Sequence, residues 1–321
     1  MKKKLKIGVL FGGKSAEHEI SLVSAKNVIN ALNKRKYKIT PIKINKDGKF
    51  RLDSVKNFDV IFPVLHGPFG EDGSVQGLLK VAGIPFVGAG VLGSAVGMDK
   101  DVMKRLLRDA GIKIGKFITL RAEEKFSFNK IKRQLGMPLF IKPANMGSSV
   151  GISKAKNESE FMKAVKNAFQ FDTKVIVEQF INGREVECAV LGNASPIASI
   201  PGEIIAGQEF YSYDAKYIAT TSHSEIPAKI SGQTVKKIRK IALQVFKTLE
   251  CEGMGRVDFF LQKDGEIFVN EINTIPGFTN ISMYPKMLEE SGILLPKLLD
   301  KLINLAIERF KREKSLRTSV K

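Results

Sequence analysis

The chain reads as an α/β protein, and three features point there. Its first third alternates apolar strand-like runs with helical periodicity, which implies a parallel, Rossmann-like sheet. In the middle, short apolar strands run into Gly/Ser- or Asn-Gly-containing loops. Towards the end, Asp264-Gly265 separates the alternating runs RVDFFLQ and EIFVNEIN, the pattern of a β-hairpin.

Taken in order, KLKIGVLF is a strand, and residues 16–33 form a helix with Leu22, Ala25, Ile29 and Leu32 on one face. YKITPIKI and FDVIFPVL are strands, and a short helix over Val75–Val81 precedes IPFVG. Residues 8–15, GVLFGGKS, match the letters of a phosphate-binding P-loop. The intervening Val-Leu-Phe is the hydrophobic end of the strand, however, so Gly12-Gly13 reads as a tight turn that lets Ser15, Glu17 and His18 face a ligand. The loop HGPFGEDGSVQG opens on His66, which fits either a capping or core histidine or a partner for a carboxylate.

A new unit starts near Gly97, with Asp99 as N-cap, Val102, Met103, Leu106 and Ala110 as the buried stripe, and Gly111 as the stop. MPLFIKP then ends in Lys142 and meets the loop 144–151, whose backbone N–H groups could cover phosphates. After a helix with Phe161, Val165 and Phe169 in its stripe, KVIVEQ and REVE are strands broken at Asn182-Gly183. Glu178, at the end of an apolar strand, requires a polar partner. Residues 207–224 read as a long ordered loop. A helix over 233–249 (Val235, Ile238, Ala242, Val245, Leu249) leads to the hairpin. Pro296 opens the last amphipathic helix, with Leu298, Leu302, Ala306 and Phe310.

Counting outward from a two-residue Asp264-Gly265 turn sets Lys263 opposite Glu266, Phe260 opposite Val269, Asp258 opposite Glu271 and Arg256 opposite Asn273. Asp258, Glu271, Arg256 and Asn273 then share one face, with Val257, Phe259, Leu261, Phe268 and Ile272 on the other. Two opposed carboxylates repel unless a cation intervenes, and two carboxylates with an amide suit Mg²⁺. A solvated polar face fits the same pattern.

Composition narrows the function. The 321 residues suffice for two or three domains, and 43% hydrophobic with 26% charged residues is an ordinary soluble balance. The opening MKKKLKIGVLFGG resembles a signal peptide only in its basic start, because its apolar stretch is too short and lacks a cleavage site. No run approaches the roughly 18–20 apolar residues of a membrane helix, so no membrane partner is expected. Cys188 and Cys251 are far apart, as expected of reduced thiols in a cytoplasmic protein. A net charge of +19 raises a nucleic-acid partner. The lysines are scattered and not interleaved with aromatics, which favours an anionic small molecule and no nucleic acid.

GGKSAEHEISL, HGPFGEDGSVQG, GMDK, IKPANMGSSVG, VEQFINGREVE, DAKY, GRVDFF and NEINTIPGFTNISM stand in the order and at about the spacing of the D-alanine–D-alanine ligases of the ATP-grasp superfamily. The chain resembles that family up to about residue 312. The resemblance implies three α/β domains (1–97, 98–184 and 185–321) with ATP gripped between the second and third. It implies a reaction in which ATP phosphorylates the carboxylate of one D-alanine and the amine of a second displaces phosphate, supplying peptidoglycan synthesis.

By the same resemblance, Asp258, Glu271 and Asn273 hold two Mg²⁺ (or Mn²⁺). Lys100, Lys142 and Lys216 contact phosphates, and Ser148, Ser149 and Val150 close over them. Glu178 with the backbone of Phe180 and Ile181 meets adenine, and Glu185 meets ribose. Arg256 and the Gly277 N–H form the oxyanion hole. Glu17 pairs with the first ammonium, and His66 lies near the first carboxylate. Ser282 and the Met283 N–H bind the second carboxylate, and a Glu17–Ser148–Tyr217 network fastens the lid. Ile281 departs from the polar residue many relatives carry there. Relatives that form D-alanyl–D-lactate or D-alanyl–D-serine are the alternative, and Tyr217 resembles the dipeptide-forming type. A homodimer is the family's usual state.

Overall fold

A computed structural model describes residues 3–205, 223–317 and 319. The first sheet is parallel, in the order β2 (Tyr37–Ile44), β1 (Leu5–Gly12), β3 (Val60–Val64). Strand β3 is buried at every position, as a parallel strand covered on both faces must be. Gly8 to Gly12 lie inside β1, so the P-loop letters belong to a strand. Helices α1 (His18–Ala31), α2 (Ser74–Val81) and α3 (Val91–Met98) belong to the same third of the chain. The core of this sheet continues into two C-terminal helices, α8 (Met283–Glu290) and α9 (Leu295–Lys314), through Ile7, Val9, Phe62, Tyr284, Leu298 and Leu302.

A second sheet, antiparallel, has the order β4 (Phe117–Arg121), β7 (Lys174–Gln179), β5 (Leu139–Pro143), β6 (Ser153–Ala155). Helices α5 (Phe128–Leu135) and α6 (Glu158–Ala168) contribute to its core through Ile131, Phe161 and Val165. The third sheet runs β11 (His223–Glu225), β10 (Gly202–Ile205), β8 (Arg184–Gly192), β12 (Gly253–Leu261), β13 (Ile267–Asn273), with β9 (Ile197–Ala198) on β8. Helix α7 (Gly232–Thr248) adds Ile238, Ala242 and Val245 to its core. Of the loop expected at 207–224, residues 207–222 lie outside the described residues, and the chain from His223 is strand.

Two expectations need correcting. Helix α4 (Lys100–Asp109) has the Asp99 cap, accepting from Asp101 N at 3.1 Å and Val102 N at 3.0 Å. Its buried stripe, however, includes Met103, Lys104 and Leu107, while Val102 is half-buried and Leu106 and Ala110 are exposed. The helix turns a lysine inward because a carboxylate waits there, and that partner outweighs apolar periodicity.

The hairpin is the second. Asp258 does face Glu271, and Arg256 does face Asn273. Nearer the turn, Phe260 faces Phe268 and Phe259 faces Val269, so the predicted pairing of Phe260 with Val269 is off by one. The connection is three residues long: Gln262 N donates to Glu266 O at 2.9 Å, Gly265 N donates to Gln262 O at 3.0 Å, and Gly265 takes φ +87°. A register shift beyond Asp258 inserts one residue into β13 and cancels the extra turn residue. It also exchanges faces: Ile267 and Val269 are core, and Phe268 is only half-buried.

Candidate active site

Strands β8, β12 and β13 set three carboxylates in one row, because Glu187 pairs in register with Asp258 and Asp258 with Glu271. Arg256 sits two residues before Asp258 on the same face and neutralises part of that row. Its Nε and a terminal nitrogen donate to the two Asp258 oxygens at 2.7 Å each, and Nε lies 3.1 Å from Glu187. Burial would lower the Arg256 pKa, but Asp258 and Glu187 hold it well above the ordinary arginine range. Lys100, the first residue of α4, reaches the far end: its Nζ lies 3.4 Å from Glu271 and donates to Met146 O at 2.8 Å.

Lys100, Glu187, Arg256 and Glu271 wall a cavity of about 150 Å³ with Glu17, His66, Glu71, Ser148, Asn273, Gly277, Ser282 and Met283. Glu17 accepts from the Ser148 hydroxyl, tying the start of α1 to the 144–151 loop. The loop glycines permit this approach: a Cβ on Gly147 would lie 2.8 Å, and one on Gly67 2.6 Å, from Glu17 Oε2. His66 Nδ1 lies 3.0 Å from Ile275 O. A carbonyl can only accept, so the proton is on Nδ1 and the bare Nε2, buried and without a hydrogen-bond partner, is an acceptor. Burial pushes the imidazole pKa down despite nearby Glu17, which keeps it neutral. Glu71 accepts from Gly67 N at 2.7 Å and Ile275 N at 3.3 Å, and burial followed by the charge of Glu17 raises it to about 8. Ser282 caps the turn before α8, its hydroxyl accepting from Thr279 N at 2.9 Å.

A second cavity of about 370 Å³ opens between the two antiparallel sheets. It shares Lys100, Gly147, Ser148 and Glu271 with the first and adds Lys142, Ser149, Glu178, Phe180, Ile181 and Glu185. The Phe180 ring stacks on Phe140 at 6.0 Å between centroids, with Lys154 Nζ 4.8 Å from it. Glu178 finds the partners that its sequence position required: Lys104 at 2.7 Å and Lys142 at 2.6 Å. Burial alone would raise Glu178, but the two lysines hold it down at about 2.

Most of the sequence-predicted residues therefore converge. Asp258 does not line either cavity; it lies behind Arg256. Val150 lines neither, its N–H donating to Gly147 O at 3.0 Å. Of the residues expected after the Gly12-Gly13 turn, only Glu17 faces the first cavity. The Ser15 hydroxyl donates to His66 O at 2.6 Å, and His18 Nδ1 lies 2.6 Å from Gly13 O. Lys216 and Tyr217 lie outside the described residues. Sequence reasoning missed Glu71, Lys104 and Glu187; Glu187 joins the acid pair only through the pairing of β8 with β12, two strands far apart in the chain.

Asn273 Oδ1 is buried and lacks a hydrogen-bond partner. An orphaned hard oxygen beside opposed carboxylates fits a divalent cation. Among the described residues no three acidic, imidazole or thiol groups converge as a ready metal nest, so an ion would be completed by substrate oxygens and water.

A parallel sheet followed by two antiparallel sheets that face each other across a lysine-lined cleft defines the ATP-grasp class. Two family models match, described as D-ala D-ala ligase N-terminus over residues 6–57 and 51–89, and D-ala D-ala ligase C-terminus over 106–304. The D-alanine–D-alanine ligase of Oceanobacillus iheyensis is 49% identical, the alignment covering 98% of this chain and 99% of the relative. The solved D-alanine–D-alanine ligase of Coxiella burnetii matches with a TM-score of 0.88 at 41% identity, over 97% of this chain and 96% of that one. That of Bacillus anthracis, solved in complex with ATP, gives 0.85 at 32%, over 96% and 99%. This chain belongs to the D-alanine–D-alanine ligase family.

Proposed function

We propose that the chain joins two D-alanines to D-alanyl–D-alanine at the expense of ATP, through a D-alanyl phosphate, as a step of peptidoglycan precursor synthesis. The observation that carries this reading is the pair of communicating cavities with complementary chemistry. The larger presents lysines and a flat aromatic floor, as phosphates and adenine require. The smaller presents acceptors for an ammonium and, on β12, an arginine for an anion.

In the larger cavity Phe180, Ile181 and Glu178 meet adenine, Glu185 meets ribose, and Lys100 and Lys142 meet phosphates; Lys216 joins them, and the Ser148–Val150 loop closes over them. In the smaller, Glu17 holds the first ammonium. His66, kept neutral by burial, lies near the first carboxylate, whose negative charge would favour a proton on Nε2. The first carboxylate oxygen attacks the terminal phosphorus and ADP leaves. The amine of the second D-alanine, held through its carboxylate by Ser282 and Met283 N–H, then attacks the acyl carbon, and phosphate leaves, taking up the proton that the nitrogen loses. Arg256 and Gly277 N–H donate to the oxyanion of that tetrahedral species, and Tyr217 completes the network begun by Glu17 and Ser148. Asp258, Glu271 and Asn273 would hold two Mg²⁺, which when bound offset phosphate charge.

The limits 1–97, 98–184 and 185–321 for the three units, a homodimeric state and a cytoplasmic location complete this reading. Among the described residues no helix is long and apolar enough to cross a membrane.

The test is phosphate release from ATP with D-alanine, L-alanine, D-serine or D-lactate as substrate, with product analysis. D-Alanine alone should support turnover to the dipeptide. Predominant ester from a mixture of D-alanine and D-lactate at neutral pH would refute the dipeptide assignment.

A further inference from the structure

Lys104 belongs to no site named so far. It lines neither cavity, yet it is only 2% exposed, more buried than Lys142 at 8%. Among the described residues its one ion partner is Glu178, 6% exposed, whose other oxygen binds Lys142. One carboxylate thus serves two lysines approaching from different sides. Lys142 is on the cavity wall, where it also lies 3.4 Å from Asn270 Oδ1; Lys104 comes from α4, on the core side. An anion entering the cavity can draw Lys142 away only if Glu178 is not then left as an uncompensated buried charge, which is strongly destabilising.

We propose that Lys104 is a positioning residue of the nucleotide site: it holds Glu178 from behind and so releases Lys142 to pair with the phosphates of an adenine nucleotide. This rests on the assignment of the larger cavity to ATP. The trio carries one surplus positive charge, and that surplus sits on the only one of its two lysines that a ligand can reach. Without Lys104, Glu178 would keep Lys142 for itself. The fold would persist, because the carboxylate would still be paired, but the cavity would lose a phosphate partner.

Calorimetric titration of the full chain with ATP and with adenosine tests this. For Lys104→Met the ATP dissociation constant should rise about tenfold or more, with adenosine affinity within about twofold of the unmodified chain. In a Glu178→Gln background, adding Lys104→Met should leave the ATP-to-adenosine ratio unchanged, since Lys142 is no longer sequestered. A merely structural lysine would weaken both ligands together, and that result overturns the proposal, as does a further fall of the ratio in the Glu178→Gln background. Should Lys104→Met fail to fold, the same ratio is read on Lys104→Gln. If the unmodified chain binds ATP no better than adenosine, the nucleotide-site assignment falls and this proposal with it. If it prefers ATP and Lys104→Met keeps that preference, only this proposal falls.

Discussion

The two cavities share a wall but solve the problem of buried charge differently. In the smaller, acceptors stand ready: His66 Nε2 and Asn273 Oδ1 are buried without hydrogen-bond partners, and Glu71 is held by backbone N–H groups close to Glu17. In the larger, Glu178, Lys104 and Lys142 satisfy one another, so an arriving ligand must exchange with an existing ion pair. A pre-organised acceptor set contributes through interactions awaiting the substrate and transition state. An exchange site trades one ion pair for another, so its net contribution is smaller.

That contrast can be broken by mutation. The largest effect is expected from Asp258→Ala or Glu271→Ala, which should leave a folded protein whose D-alanine-dependent phosphate release drops by about three orders of magnitude or more. Near-normal turnover in either would remove the metal assignment. Arg256→Ala comes next. Its kcat should fall by roughly 10²–10³-fold, far more than its KM for D-alanine rises, because its partner oxyanion exists only in the transition state. A change confined to KM would place Arg256 on the ground-state substrate instead.

Lys142→Met probes the exchange site. The KM for ATP should rise about tenfold, while the thermal midpoint stays within about 2 °C because Lys104 still compensates Glu178. A collapse in the midpoint would mean that Lys104 alone cannot hold the carboxylate.

The smallest effect concerns Glu71. Its folded pKa of about 8 lies above the ordinary 4.5, so the folded chain keeps a proton that the unfolded chain has lost. Its contribution to stability is therefore full below pH 4.5 and is lost as pH rises towards about 8. In Glu71→Gln the decline of the thermal midpoint over that window should be shallower, read by calorimetry from pH 5 to pH 9, in steps of about one unit. An unchanged slope would assign the decline to other groups.

Much of this site was legible in the sequence, and the hairpin teaches why. Side chains alternate with a period of two, so Arg256 and Asp258 had to share a face whatever happened elsewhere. The facing of Asp258 and Glu271 was right, although the local count was wrong near the turn. The extra turn residue and the inserted residue in β13 cancel, and the face of Phe268 carries the error between them. Glycine-bearing loops likewise singled out Glu17, His66 and Ser148, which line the smaller cavity, because only small residues let backbone and carboxylate approach so closely.

Helix α4 is the counterexample. Its apolar spacing favoured Leu106, but Lys104 is the side chain turned inward, since it meets a carboxylate from a strand 74 positions later in the chain. No local pattern announces such a partner. Glu71 and Glu187 escaped for the same reason, each depending on a neighbour from a distant segment.

Periodicity, turn chemistry and motif order established the α/β architecture, the acid-bearing hairpin and the family, because these depend on interactions between residues near one another in the chain. Which charges are compensated, which acceptors stand bare and which lysine can be spared for a ligand were decided by packing. Those properties arise from desolvation and from partners brought together out of separate sheets, and the cost of burying a charge is set by everything around it rather than by its neighbours in the chain.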